Sequence, residues 1–247
     1  MFGIINLSLY HIIAHAVKGI SRRSGLEISR RRPVRDPIAH FHAKLREFDI
    51  QTVFDVGANK GQFGKALIGS GFDKKIVSFE PLLSEHEILH DSTRGAANWI
   101  AYDRMALGAK NGEATINVAI NGASSSVLDV AQTSLDAAPE SGFAGQEHIK
   151  IARFDSLKLD QFSGPWAMKI DTQGLELEVL KGAGELLTQI KVILMEMSLV
   201  ELYEGGAKFA ELYGWMESQG YRCIGFTQGF ANHQTHELLQ VDGLFVR

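Results

Sequence analysis

From Thr52 onward, short apolar runs rich in β-branched residues alternate with segments of helical length and helical spacing. The pattern predicts strands at Thr52 to Val56, Lys75 to Phe79, Trp99 to Ala106, Trp166 to Ile170, Val192 to Met197, Tyr221 to Phe226 and Gly243 to Val246. It predicts helices at Gln62 to Ser70, Leu83 to His90, Leu175 to Leu187 and Lys208 to Gln219. Parallel neighbours need a crossover, which is usually a helix, so the alternation implies an α/β fold with a mostly parallel sheet covered on both faces. Between Gly108 and Phe162 the rhythm changes to Thr115-Ile-Asn-Val-Ala-Ile, glycine and serine clusters, and His148-Ile-Lys-Ile-Ala-Arg-Phe, which reads as inserted hairpin strands.

The first residues follow another pattern. Ile4, Ile5, Leu9, Ile12, Ile13 and Ala16 recur at helical spacing, and a basic linker follows, ending near Pro33 and Pro37. Phe2 to Val17 falls short of the roughly 20 apolar residues of a spanning helix. Its charges follow the apolar stretch, the reverse of a secretory signal, so export is not expected. Residues 1–35 carry seven basic side chains against Glu27 alone, a net of +6, which leaves −10 for the remainder of a chain whose formal charge is −4. We therefore divide the chain into an N-terminal amphipathic helix and basic linker, 1–45, and one α/β domain, 46–247. Two readings of the extension stay open: a helix packed on the domain or on an oligomer partner, and a foothold on an anionic membrane surface. The single cysteine, Cys223, forms no intramolecular disulfide, in keeping with a reducing, cytoplasmic setting, at most peripheral to the inner face of the membrane.

The most specific chemistry lies in Val53-Phe-Asp-Val-Gly-Ala-Asn-Lys-Gly-Gln-Phe-Gly64, a strand running into glycines that open a helix. Such a turn lets backbone approach a ligand closely and offers helix-start amides to a polar group. Glycines at 57, 61 and 64 fit neither the Gly-x-Gly-x-x-Gly of dinucleotide folds nor a phosphate-binding Gly-x-x-x-x-Gly-Lys-Ser/Thr loop. They resemble instead the first motif of S-adenosylmethionine-dependent methyltransferases, acidic-x-Gly-x-Gly-x-Gly, with Asp55, Gly57, Asn59 and Gly61 in the key positions. Asn59 stands where the motif has glycine, a mild change because asparagine enters the left-handed region readily. The next strand ends in Phe79-Glu80-Pro81, and a carboxylate there can accept both hydroxyls of a ribose. Asp55 as a turn cap and Glu80 as a solvated strand end are the structural alternatives.

A second stretch reads Trp166-Ala-Met-Lys-Ile-Asp-Thr-Gln-Gly-Leu-Glu-Leu-Glu-Val-Leu-Lys-Gly-Ala183. With the glycine loop, Ala106 to Gly108, Ser124 to Leu128, Ile193 to Glu196 and Asp242 to Arg247, it resembles the FkbM family of methyltransferases over roughly residues 50 to 247. The resemblance implies a Rossmann-like methyltransferase fold, a seven-stranded sheet with an antiparallel last strand, S-adenosyl-L-methionine as donor and a hydroxyl oxygen as acceptor. Family members act on macrolide and sugar hydroxyls, fucose among them, so a sugar or polyketide-like small molecule is the implied partner.

Strand alternation puts Lys169 and Asp171 on one face, and Asp171 falls at the carboxyl end of a central strand, where open α/β sheets bind ligands. A sugar hydroxyl is a weak nucleophile, so a general base helps, and Asp171 fits that role by position. Glu196 approaches the same rim, either to orient the acceptor and share the base function or as a salt-bridged strand end. Lys169 is read as a buried cation paired with Asp171 or another carboxylate, or as an acceptor contact. Asp103 is a further candidate beside the adenine. Glu176 and Glu178 sit in a first helical turn and take a structural role. His86 and His90 have the i, i+4 spacing of a metal pair but no third ligand, so no metal is expected. His40 and His42 are read as surface residues of the linker, and His233 and His236 either as plain loop histidines or, one of them, as an alternative base near the acceptor. Ser124 to Ser126 lack a nucleophile elbow and are read as ordering a loop or donating to a ligand. Basic patches interleaved with aromatics are missing from the acidic domain, so no nucleic-acid partner is expected, and only the basic linker speaks for one. The competing class is a non-catalytic Rossmann-like module recruited through its N-terminal extension.

Overall fold

The computed structural model describes residues 36–247; the amphipathic helix and basic linker expected before Asp36 lie outside the described residues. The first element, α1 (Pro37–Glu47), starts where the Asp36 carboxylate accepts the Ala39 amide at 3.0 Å and proline occupies the first turn. Then come β1 (Thr52–Val56), α2 (Gln62–Gly69), β2 (Lys75–Phe79), α3 (Leu83–Thr93), β3 (Trp99–Ala101), β4 (Ala106–Leu107), β5 (Gly112–Ala119), α4 (Gln132–Ala137) and β6 (Phe143–Ala152). The second half holds β7 (Trp166–Ile170), α5 (Glu176–Gly182), β8 (Ile190–Ser198), α6 (Phe209–Ser218), β9 (Arg222–Gln228) and β10 (Gln240–Val246).

Seven strands form one sheet in the order β3-β2-β1-β7-β8-β10-β9. The first five in that order pair in parallel, while β10 runs antiparallel between β8 and β9. Every residue of β1 is buried, as expected of a strand covered on both faces. Alternate residues serve two cores. Phe54, Val56, Phe79, Met168, Ile170, Ile193 and Phe245 meet Val179 and Leu180 of α5 and Leu212 and Met216 of α6. Val53, Ile76, Ala167, Val192, Leu194 and Leu244 meet Phe41 and Leu45 of α1, Leu67 of α2 and Leu89 of α3. A smaller sheet, β4-β6-β5, is the inserted pair expected between Gly108 and Phe162, with β5 antiparallel to β6.

Two predicted elements change at their ends, and two residues expected in the linker fall on a helix. The strand expected over Trp99 to Ala106 stops at Ala101, and Ala106 pairs with Ile151 in the second sheet, because the Tyr102 amide closes on Ser78 and the chain then leaves the main sheet. The helix expected over Leu175 to Leu187 is α-helical only to Gly182 and continues as a tighter 3-10 turn from Gly184, whose φ of +50° interrupts the α-helical run. His40 and His42 stand half-buried on α1, not in a linker, and His42 Nδ1 meets Ser70 Oγ at 3.0 Å.

Candidate active site

The turn after β1 holds three left-handed residues in alternation: Gly57 (φ +74°), Asn59 (+49°) and Gly61 (+82°). Each needs a residue that tolerates this region, and asparagine is the side chain that does so best. Asn59 also stabilises its own turn, its Oδ1 accepting from the Lys60 amide at 2.9 Å and from Gln62 Nε2 at 3.0 Å. A Cβ on Gly57 would lie 1.8 Å from the Asp171 carbonyl oxygen, so the glycine turn and the end of β7 touch through backbone. Gly61 serves a different neighbour: a Cβ there would meet the Trp99 ring at 2.8 Å, and one on Gly64 would meet it at 2.5 Å.

Glu80 follows β2 and is 4% exposed. One carboxyl oxygen accepts the Asn59 amide at 2.8 Å and the other the Leu82 amide at 2.9 Å. Burial nevertheless outweighs those two bonds and raises its pKa from 4.5 to about 7. Beside it opens a cavity of about 280 Å³. Gly57, Asn59, Phe63, Glu80, Lys169 and Asp171 line it on the strand-end side, and Leu82, Met105, Leu107 and Ile116 form an apolar wall.

Beneath the cavity floor, charges are paired. Lys169 Nζ donates to the Gly57 carbonyl at 2.9 Å and lies 3.2 Å from Asp171 Oδ2 and 3.5 Å from Asp55 Oδ1. Asp55 is fully buried, and its Oδ2 accepts from Ser78 Oγ at 3.1 Å, which in turn accepts from Trp99 Nε1 at 2.9 Å. Desolvation raises the Asp55 pKa against the pull of Lys169. The Lys169 pKa is raised because Asp171 and Asp55 overcome its own burial, so it is a cation at neutral pH. Asp171 is opposed by burial but held below the ordinary range by Lys169 first, then by hydrogen bonds from Glu196 and Gln173. Glu196 goes the other way, raised well above its usual value by burial and by the Asp171 charge. The two groups are pushed in opposite directions, as expected of neighbouring carboxyls that share one proton.

Of the residues expected from sequence, Gly57, Asn59, Glu80, Lys169 and Asp171 converge on the cavity. Asp55 and Gly61 lie behind it, one as the counter-charge of Lys169 and the other as the seat of Trp99. Glu196 joins through Gln173, whose Nε2 reaches Asp171 Oδ1 at 2.5 Å and Glu196 Oε2 at 2.9 Å. Asp103 is exposed in an adjoining recess with Glu113, His148 and Lys150, which shares Met105 with the apolar wall of the cavity. Ser125 and Ser126 line the cavity while bonding to the carbonyls of Gly122 and Gln173, as the loop-ordering reading expects. Glu176 takes the structural role foreseen for it: its carboxylate accepts from the amides of Thr172 and Gly174. His233 and His236 are exposed in their loop, His86 Nε2 is taken by the Tyr102 carbonyl, and no metal-binding cluster occurs among the described residues. Gln173 and Tyr203 were not singled out by sequence. Their one signal was the polar Thr-Gln insertion between the strand-end Asp171 and Gly174.

A doubly covered parallel sheet with a reversed strand, and a strand-end cavity between a glycine turn and a buried acidic residue, define the α/β methyltransferase class. The sequence model of the methyltransferase FkbM domain matches residues 55–223, and the chain belongs to this family, whose methyl donor is S-adenosylmethionine. Among solved structures, an S-adenosylmethionine-dependent methyltransferase from Mesorhizobium loti is 7% identical over 84% of this chain and 96% of its own, with a TM-score of 0.47. The methyltransferase domain of bacterial CtHen1 is 13% identical over 85% of this chain and 97% of its own, with a TM-score of 0.41. Sp1610 of Streptococcus pneumoniae, a putative tRNA (m1A22) methyltransferase in complex with S-adenosyl-L-methionine, is 10% identical over 83% and 71%, with a TM-score of 0.44. No curated protein matches the chain. Among the described residues, no helix is long and apolar enough to cross a membrane.

Proposed function

We propose that this protein methylates a hydroxyl of a sugar, glycan or polyketide-like small molecule, with Asp171 as the general base. The observation that carries the proposal is that Asp171, held anionic by Lys169, lines the same cavity as Gly57, Asn59 and Glu80. The cavity suits the donor: the buried Glu80 carboxylate has acceptor capacity left on both oxygens and would take the hydroxyls of a ribose, and the wall of Leu82, Met105, Leu107 and Ile116 would suit a flat purine. Bound there, S-adenosylmethionine supplies a methyl carbon on a sulfonium leaving group. The chain's own work is then to place the acceptor oxygen, exclude water and take up its proton. Asp171 accepts that proton as the new oxygen–carbon bond forms, and Lys169 keeps the carboxylate charged until then.

A hydroxylated acceptor is favoured by what surrounds Asp171. The pairing register puts Glu196, Asp242 and Thr227 side by side across β8, β10 and β9, on the sheet face shared with Asp171. In this row the Thr227 hydroxyl donates to Asp242 Oδ2 at 3.3 Å, and a run of carboxyl and hydroxyl groups that can both donate and accept suits a molecule that presents several hydroxyls. The test is transfer of tritiated methyl from S-adenosylmethionine to a panel of hydroxylated sugars and glycans by the full chain. Asp171→Asn is expected to lower transfer by roughly 10²–10⁴-fold while donor binding persists. Normal turnover by this variant would exclude Asp171 as the base. Deleting residues 1–35 is expected to leave donor binding and transfer in place, whereas a module recruited through its extension would lose only its partner.

A further inference from the structure

Four carboxyl oxygens meet in the Asp171 and Glu196 pair, and their partners identify the one that carries the shared proton. Asp171 Oδ2 faces the Lys169 ammonium at 3.2 Å. Asp171 Oδ1 accepts one hydrogen of Gln173 Nε2 at 2.5 Å. Glu196 Oε2 accepts the other at 2.9 Å and a further one from Gln240 Nε2 at 3.0 Å. Glu196 Oε2 thus has both acceptor directions taken and each Asp171 oxygen faces an N–H donor, which leaves Glu196 Oε1, to which no N–H is directed among the described residues, as the oxygen best placed to bear the proton.

The distribution depends on which way the Gln173 carboxamide points. Tyr203 decides that, because its hydroxyl donates to Gln173 Oε1 at 2.6 Å, with the Ser124 carbonyl a longer second contact at 3.2 Å. A flipped carboxamide would turn its oxygen toward two carboxyl oxygens. The backbone is clamped as well. Gln173 has φ +55°, its carbonyl accepts Ser126 Oγ at 2.7 Å, and a Cβ on the next residue, Gly174, would meet Leu128 at 3.0 Å and Tyr203 at 3.1 Å.

We propose that Gln173 is a positioning residue, its carboxamide locked by Tyr203 so that Glu196 stays a neutral acid and Asp171 the charged base. The proposal rests on the hydroxyl-methylation reading for its catalytic meaning, but the proton distribution itself does not. The other charged or titratable groups around the pair are Lys169 of β7, Asp55 of β1, Asp242 of β10, Glu176 of α5 and Tyr203. The acidic ones push the shared proton toward retention, and Lys169 keeps it off Asp171.

The test is a carbon-13 NMR titration of side-chain carboxyl groups in the full chain, with neither donor nor acceptor, assigned through Asp171→Asn and Glu196→Gln. The expected result is two well-separated steps, Asp171 in the lower and Glu196 in the upper. In Gln173→Met the Asp171 step should rise by about one pH unit, the size of a lost charge-assisted hydrogen bond. Tyr203→Phe keeps the carboxamide but frees its orientation, and should move the step the same way by less. An unchanged titration in both folded variants would overturn the proposal, as would wild-type steps assigned in the opposite order. With an acceptor in hand, Gln173→Met should lower kcat at least tenfold and leave KM and donor affinity within about twofold, where a merely structural defect would move all three. Shifted steps without transfer to any hydroxyl would overturn the proposed reaction and leave the proton distribution standing.

Discussion

Glu80→Gln separates the ribose role proposed for this carboxylate from its structural one. Its pKa of about 7 against an ordinary 4.5 means that ionisation in the empty fold costs roughly 3 kcal/mol. The folded state therefore binds this proton more tightly than the unfolded chain. The group's contribution to stability is present below about pH 4.5 and is lost as pH rises through about 7. Ribose hydroxyls act in the opposite sense, since both donate best to the charged form. Donor binding should then weaken by up to about tenfold for each pH unit below 7. The glutamine has one acceptor oxygen where the carboxylate has two, and the amides of Asn59 and Leu82 already require two. Losing a charge-assisted bond of about 1.5–3 kcal/mol corresponds to a dissociation constant roughly 10- to 100-fold higher at pH 8. Calorimetric titration with S-adenosylmethionine at pH 6 and pH 8 measures it, and the ratio of variant to wild type cancels the ligand's own ionisation. The ratio should be large at pH 8 and shrink at pH 6. Equal ratios at both pH values, or wild-type affinity of the variant at pH 8, would refute the assignment.

Gly57→Ala should be the most damaging change in the glycine turn. A methyl group 1.8 Å from the Asp171 carbonyl oxygen forces β1 and β7 apart at a residue with φ +74°, and loss of donor binding or of the cooperative melt is expected; a variant with wild-type Tm would show that the turn relaxes freely. Phe41→Ala tests whether α1 belongs to the domain core. Its ring is fully buried and 5.7 Å from Phe63, so a loss of about 3–5 kcal/mol in denaturant unfolding is expected, and a loss under about 1 kcal/mol would mean the helix is dispensable.

Much of this arrangement was legible from residue order alone. β1, β2 and β7 appear at the residues their apolar runs mark, because strands covered on both faces leave little else for those residues to do. Period-two alternation placed Lys169 and Asp171 on one face, and the ion pair between them follows from that. What stayed hidden depends on direction in space. The motif position of Gly61 says nothing of its facing Trp99, 38 residues later, and Asp55 fits a ligand-binding site in sequence but points to Lys169. The setting of Asp103 is of the same kind: the chain leaves the main sheet at Tyr102 and carries Asp103 into the exposed recess beside Met105. Gln173 and Tyr203, 30 residues apart, meet only because a left-handed backbone at Gln173 turns the carboxamide back over the strand ends.

The place of β10 has a consequence for how the protein comes into being on a ribosome. Synthesis delivers β9 before β10, yet β10 lies between β8 and β9 in the sheet. Until residues 240–246 are in place, β8 presents an open edge and β9 has no strand to join. The same late segment brings Gln240, whose side chain holds Glu196, and Asp242, which sits opposite Glu196 in the register. The glycine turn at Gly57 can therefore take shape on a nascent chain well before the carboxyl pair is complete, and completion of that pair waits for β10.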